Sequence, residues 1–178
     1  MPFDADERRR FEEATLPHLD AVYNLARWLT RDDHAAEDVA QDTYHRALRF
    51  FHGFRGQDAR AWLLTITRNA SNDWLRKQRP RQGAVPFDAD LHDPGDESMN
   101  PQRLALERAD REILMQALES LPDEFREVAV LRELEGLSYQ QIAAITGAPV
   151  GTVMSRLSRA RSQLQKKLGE SLAGGGAT

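Results

Sequence analysis

The chain has 178 residues, 40% hydrophobic and 29% charged, with a formal net charge of −4 and no cysteine. That length fits one domain or two small ones; the lack of cysteine excludes disulfide staples, thiolate nucleophiles and cysteine-based zinc sites. No uninterrupted apolar run approaches the roughly 18 residues of a membrane span, and the charged start, Met1 to Arg10, lacks the apolar stretch of a secretory signal, so the sequence predicts a cytoplasmic protein without membrane insertion.

From Phe11 to about Arg79 apolar residues recur at helical spacing, which predicts about three helices in a first domain over residues 1–79. The first runs roughly from Leu16 to Leu29, with Leu19, Val22, Leu25, Ala26 and Leu29 as its stripe. Asp33 is placed to cap a second, reaching about Phe51, which buries Ala36, Val39, Ala40, Thr43, Ala47 and Phe50 and turns Asp38, Gln41, Asp42, His45 and Arg49 outward. After the loop Phe54-Arg55-Gly56-Gln57-Asp58, a third helix from about Ala59 to Lys77 carries Trp62, Ile66, Ala70 and Trp74 on one side and ends in a basic cluster. The three tryptophans, Trp28, Trp62 and Trp74, read as core residues.

Residues 80–101 hold four of the eight prolines and show no period, so they read as a flexible linker. Its five acids, Asp88, Asp90, Asp93, Asp96 and Glu97, against the single base Arg81 account for the whole net charge. The flanking segments together are near neutral, and the overall charge is no argument against a nucleic-acid partner. Helical periodicity returns in a second domain over residues 102–170, where breaks at Leu121-Pro122, Gly136 and Gly147-Ala148-Pro149 predict four helices; residues 171–178 read as a disordered tail. The fold class is therefore all-α, two small helical domains joined by an acidic linker. The five histidines are scattered, and neither a metal site nor a cofactor is assigned.

The strongest local signal lies between Leu137 and Gln165. Ser138 with Gln141 has capping-box spacing, Leu137 and Ile142 that of a hydrophobic staple, Gly147 supplies a turn, and Pro149 suits the first position of the next helix. In that next helix Val153, Leu157, Ala160 and Leu164 fall inward and leave Thr152, Ser155, Arg156, Arg159 and Gln163 outside. Five cations and no acid lie between Pro149 and Lys167. A solvated basic face would look similar, but cap, staple, turn and clean facial split together describe a helix-turn-helix whose second helix meets DNA.

The segments Leu137-Ser138-Tyr139-Gln140-Gln141-Ile142-Ala143, Pro149-Val150-Gly151-Thr152-Val153 and Ser155-Arg156-Leu157-Ser158-Arg159-Ala160-Arg161 closely resemble region four of extracytoplasmic-function sigma factors. Ala36-Glu37-Asp38-Val39-Ala40-Gln41-Asp42-Thr43, Phe54-Arg55-Gly56, Arg60-Ala61-Trp62-Leu63 and Arg68-Asn69 through Asp73-Trp74-Leu75-Arg76 look like region two of the same family. The resemblance covers about Leu16 to Lys167. It implies a subunit that brings core RNA polymerase to promoters and helps melt them, with catalysis left to the polymerase.

It also implies roles for particular residues. Asp38, Gln41 and Asp42 match the surface that docks on the clamp helices of the largest polymerase subunits. Phe54, Arg55 and Gly56 belong to the loop that receives a flipped base of the minus-ten element, Asn69 lies along the same strand, and Arg68, Arg76, Lys77, Arg79 and Arg81 neutralise its backbone. Thr152, Ser155, Arg156, Arg159 and Gln163 face the minus-thirty-five element, and Met154 stands where relatives often carry a cation. The linker is implied to thread toward the RNA exit path, and an anti-sigma factor is implied as an inhibitory partner. A stand-alone helix-turn-helix regulator is the alternative, but the Asp38 to Asp42 face and the Phe54 loop have no evident role in one. A hydrolase or transferase has no supporting motif.

Overall fold

The computed structural model describes residues 3–56, 58–79 and 101–174, and among these the chain is helical with no strand. The first half opens with a helix that the sequence reading does not contain, α1 (Ala5–Thr15). Its cap is Asp4, whose Oδ1 accepts from the Glu7 N–H at 2.7 Å, and Asp6 and Glu7 suit the positive end of the helix. Its only buried residues are Phe11 and Thr15. The helix expected to begin at Leu16 starts instead as a 3₁₀ turn, Leu16–His18, around Pro17, and α2 runs from Leu19 to Thr30. Val22, Leu25 and Ala26 are buried, but Leu19 is exposed, because it sits at the corner where the turn becomes α2.

At the end of α2, Arg31 adopts a left-handed conformation, and Asp32, not the expected Asp33, caps α3 (Asp33–Phe50) by accepting from the Ala35 N–H at 2.8 Å. Asp33 is the first helical residue and receives the Arg27 guanidinium. Ala36, Val39, Thr43 and Ala47 are buried as expected, but Phe50 is 59% exposed and its neighbour Phe51 is buried. Here α3 gives way to a 3₁₀ turn, Phe51–Gly53, and the tighter winding brings the second ring inward.

Asp58 caps α4 (Ala59–Gln78), the central helix, packed by α2 and α3 in its own half and by α7 (Tyr139–Thr146) from the second. Being covered from several directions, α4 buries Leu63, Leu64, Thr67, Ala70 and Ser71. Trp62, Ile66 and Trp74, expected to point into the core, flank it half-buried.

The linker expected at 80–101 lies outside the described residues except for Pro101, which opens α5 (Pro101–Glu119). α6 (Asp123–Ala129) continues into a wide π turn, Val130–Leu134; α7 follows, then α8 (Val150–Gly174). The tail expected from residue 171 is helical as far as Gly174. Arg126, almost fully buried, donates to the carbonyls of Glu119 and Leu121 at 3.1 and 3.2 Å and so satisfies backbone acceptors that the end of α5 leaves free.

The two halves are not independent modules. Leu25, Trp28 and Leu64 of the first belong to the same buried cluster as Leu118, Leu131, Ile142 and Leu157 of the second. Each large apolar side chain buried in this way stabilises by about 1.5–3 kcal/mol relative to exposure, which makes the seam part of the core.

Candidate nucleic-acid interface

The helix-turn-helix is built as its residues require. Ser138 Oγ accepts from the Gln141 N–H at 3.1 Å, and Gln141 Oε1 accepts from the Ser138 N–H at 2.8 Å, so the capping box is closed in both directions. Leu137 and Ile142, the staple pair, are both buried. Gly147 has φ 70°, the left-handed conformation that ends α7, and its N–H reaches the Ala143 carbonyl. Arg132 braces the entry by donating to the Leu137 carbonyl at 2.7 Å and lying 4.7 Å over the Tyr139 ring. Pro149 stands one residue earlier than expected, just before the first residue of α8, where its carbonyl accepts from the Val153 N–H.

α8 divides as its periodicity predicts: Val153, Leu157, Ala160 and Leu164 are buried. On the other side Ser155 and Arg159 are exposed, while Thr152, Arg156 and Gln163 are half-buried. Arg156 Nε lies 3.8 Å from the exposed Glu124 carboxylate, a loose pair whose arginine is half-buried. Two more of the five cations are engaged within the chain. Arg161 pairs with Glu133 at 2.7 Å, and hydrogen bonds to Glu133 and then Tyr139 raise its pKa above the ordinary value; Lys167 Nζ reaches Ser120 Oγ at 2.6 Å. Met154 is exposed, an apolar tip within the polar face.

In the first half, Phe54 is half-buried, stacked on Trp62 at 4.6 Å, with its N–H bonded to the Phe51 carbonyl at 2.9 Å. Phe51 in turn meets Phe11 edge-on at 5.2 Å, so an aromatic row rooted in α1 supports the loop. Arg55 and Gly56 are exposed at its tip, and Gly56 takes φ 78°, which a side chain would strain. Asn69, Arg76, Lys77 and Arg79 are exposed along α4 and its end, with Arg76 held to Asp73 at 2.9 Å.

Asp38 and Gln41 are exposed on α3, and Asp42 is half-buried, 2.8 Å from Arg46. Arg46 also binds Asp73 at 2.9 Å, clipping α3 to α4. Burial works against its charge, but the hydrogen bonds to Asp73 and Asp42 outweigh it and raise its pKa.

Arg68 differs from the other cations of its set. Its side chain is half-buried and its guanidinium is paired with Glu127 of the second half. Arg60 pairs likewise with Glu135, Gln141 Nε2 donates to Asp58, and Arg31 donates to the Glu119 carbonyl at 2.7 Å. Sequence reasoning misses these links: the side-chain pairs join residues 59, 75 and 83 positions apart, and no local pattern connects them.

Residues 16–81 match the family model of Sigma-70 region 2, and residues 111–164 that of Sigma-70 region 4. The ECF RNA polymerase sigma factor SigE of Mycolicibacterium smegmatis is 38% identical over 162 residues, covering 89% of this chain, which spans 61% of that relative's length. The ECF RNA polymerase sigma-E factor of Escherichia coli K12 is 40% identical over 138 residues, 74% of this chain and 72% of that one. Among solved structures, the sigma factor RpoE of Bartonella quintana, determined in complex with the anti-sigma factor NepR, superposes with a TM-score of 0.73 at 32% identity, covering 90% of this chain and 97% of that one. CnrH, determined with the cytosolic domain of CnrY, gives 0.61 at 26% identity, covering 96% and 91%. With both regions present in order and relatives matched across most of their length, the chain belongs to the extracytoplasmic-function group of the sigma-70 family of RNA polymerase sigma factors.

Proposed function

We propose that this sigma factor directs core RNA polymerase to its promoters and assists their melting, as a cytoplasmic subunit that performs no catalysis of its own. The observation that carries the reading is the division of α8, four buried apolar residues against an outer face of hydroxyls and guanidinium groups, presented by a closed capping box and a glycine turn. Thr152, Ser155, Arg156, Arg159 and Gln163 read the minus-thirty-five duplex, with backbone anchoring near the start of the helix and arginine contacts farther along.

Phe54, Arg55 and Gly56 receive the flipped minus-ten base. Unstacking a base costs a few kcal/mol, and a loop with an aromatic ring held from behind by Trp62 recovers part of it. Asn69, Arg68, Arg76, Lys77 and Arg79 follow the strand, and Asp38, Gln41 and Asp42 dock on the clamp helices. The complex of the related RpoE with NepR supports an anti-sigma factor as a further partner. Run-off transcription with purified core polymerase tests the whole reading. Promoter-dependent transcripts that require the chain are expected; operator binding without any transcript favours the stand-alone regulator.

A further inference from the structure

α8 carries two apolar side chains that the core does not use. Val150, its first residue, is 38% exposed and Met154 is 52% exposed, and neither joins a buried cluster. Standing four residues apart, they lie one above the other along one edge of the helix. The opposite edge is polar, with Thr152, Arg156 and Gln163, and the crest between the two edges carries the exposed Gly151, Ser155 and Ser158. The apolar edge thus leaves surface in water that only an external partner can cover.

We propose that Met154, with Val150 beside it, is a specificity-determining contact to the 5-methyl group of a thymine in the minus-thirty-five duplex. This rests on the reading of α8 as the helix that enters the major groove.

Three features favour a base as the occupant. The pair lies at the start of α8, immediately after the turn, and that end of the second helix is the part a helix-turn-helix brings to base edges. The crest is low: a Cβ added to Gly151 would meet nothing, and the next crest residues are serines, so no large side chain there holds the bases away from the edge. The edge is also uncharged. Arg156 and Arg159 attract phosphates whatever the sequence, whereas an apolar side chain adds nothing to that attraction and contributes only by contact.

In the major groove the apolar feature of the base edges is the thymine methyl, which distinguishes A·T and T·A from each other and from both G·C orientations. An unbranched thioether chain adapts its rotamers to such a target. Covering one methyl group corresponds to about a fourfold change in affinity.

The test uses holoenzyme reconstituted from the full chain and core polymerase, and the duplexes it enriches from a pool randomised across the upstream element. In the enriched duplex each thymine is replaced in turn by deoxyuridine, which removes the methyl and keeps the pairing edge. With the unaltered chain, at least one replacement is expected to weaken binding about fourfold. Met154→Ala should bind both duplexes at the weaker level. Met154→Arg should also lose the distinction while steepening the dependence of log affinity on log salt by about 1. Both substitutions fall on an exposed side chain, and unchanged thermal melts establish that the variants are folded. Equal affinity for thymine and deoxyuridine at every position overturns the inference and leaves the reading of α8 standing. Discrimination that survives Met154→Ala, or an enriched element without an A·T pair, does the same. Enrichment of no upstream sequence overturns the reading of α8 itself, and the inference with it.

Discussion

Gln141 and Asp58 join two helix starts: the Gln141 amide closes the capping box of α7 through its oxygen and donates from its nitrogen to the Asp58 carboxylate, whose other oxygen accepts from the Ala61 N–H at 3.0 Å to cap α4. Removing that amide takes a hydrogen bond from each half. Gln141→Ala is expected to lower stability by about 1–2 kcal/mol, and Ser138→Ala, which leaves the link to Asp58, by about 1 kcal/mol. Urea denaturation followed by circular dichroism measures both; equal losses would mean that the Asp58 contact contributes nothing.

The inner and outer faces of α8 should respond in opposite ways. Leu157 is 1% exposed, and Leu157→Ala is expected to cost about 2–5 kcal/mol through the cavity it leaves. Met154, at 52% exposure, should tolerate alanine within about 0.5 kcal/mol. Thermal melts of the two variants give the comparison.

Arg159 is exposed on the outer face, so Arg159→Ala should leave the melting temperature unchanged and weaken binding to promoter duplex. If its contact is to a phosphate, the slope of log affinity against log salt falls by about 1; if to a base, the slope holds and sequence preference relaxes. Undiminished affinity at every salt concentration would take Arg159 off the interface.

Asp42→Ala should reduce association with core polymerase, measured by co-elution or fluorescence titration. Its pair with Arg46 is partly exposed and Arg46 keeps Asp73, so stability should fall by less than about 1 kcal/mol. Unaltered polymerase affinity would withdraw this residue from the docking surface.

Tyr44 carries an alkaline signature. Burial raises its pKa from 10.0 to about 12, and its hydroxyl donates to the Thr15 carbonyl at 2.7 Å. A phenol whose pKa is higher folded than unfolded adds stability that is fully present below pH 10.0 and is lost as the pH rises toward about 12. The Tyr44→Phe variant should lose less stability than the parent between those two values, as read by denaturant midpoints across the range.

What was legible in the sequence is what is local. The cap at Ser138, the staple of Leu137 and Ile142, the turn at Gly147 and the inward row from Val153 to Leu164 lie within one short stretch of chain, and each is a rule about neighbours. The exposed cations at the end of α4 were legible for the same reason. α1 was not, since a helix with only Phe11 and Thr15 buried shows no stripe, although Asp4 followed by Glu7 was an available capping signal.

Adjacent phenylalanines defeated the periodicity at Phe50 and Phe51, where a change of winding decides which ring turns inward. The pairing of Arg68 with Glu127 was out of reach, because charge composition counts cations without saying which face water and which are already met by acids from another part of the chain.

The π turn at Val130–Leu134 spaces two acids for two different neighbours: Glu133, within it, grips Arg161 of the recognition helix, and Glu135, just beyond it, grips Arg60 of the opposite half. Each residue of an ordinary helix advances the side chain direction by roughly 100°, so trimming one residue from this widened coil would rotate everything after it by about that angle. The Glu135 carboxylate would then turn away from Arg60. The irregular coil thus acts as a phase shifter, allowing one stretch of backbone to face α8 on one side and α4 on the other.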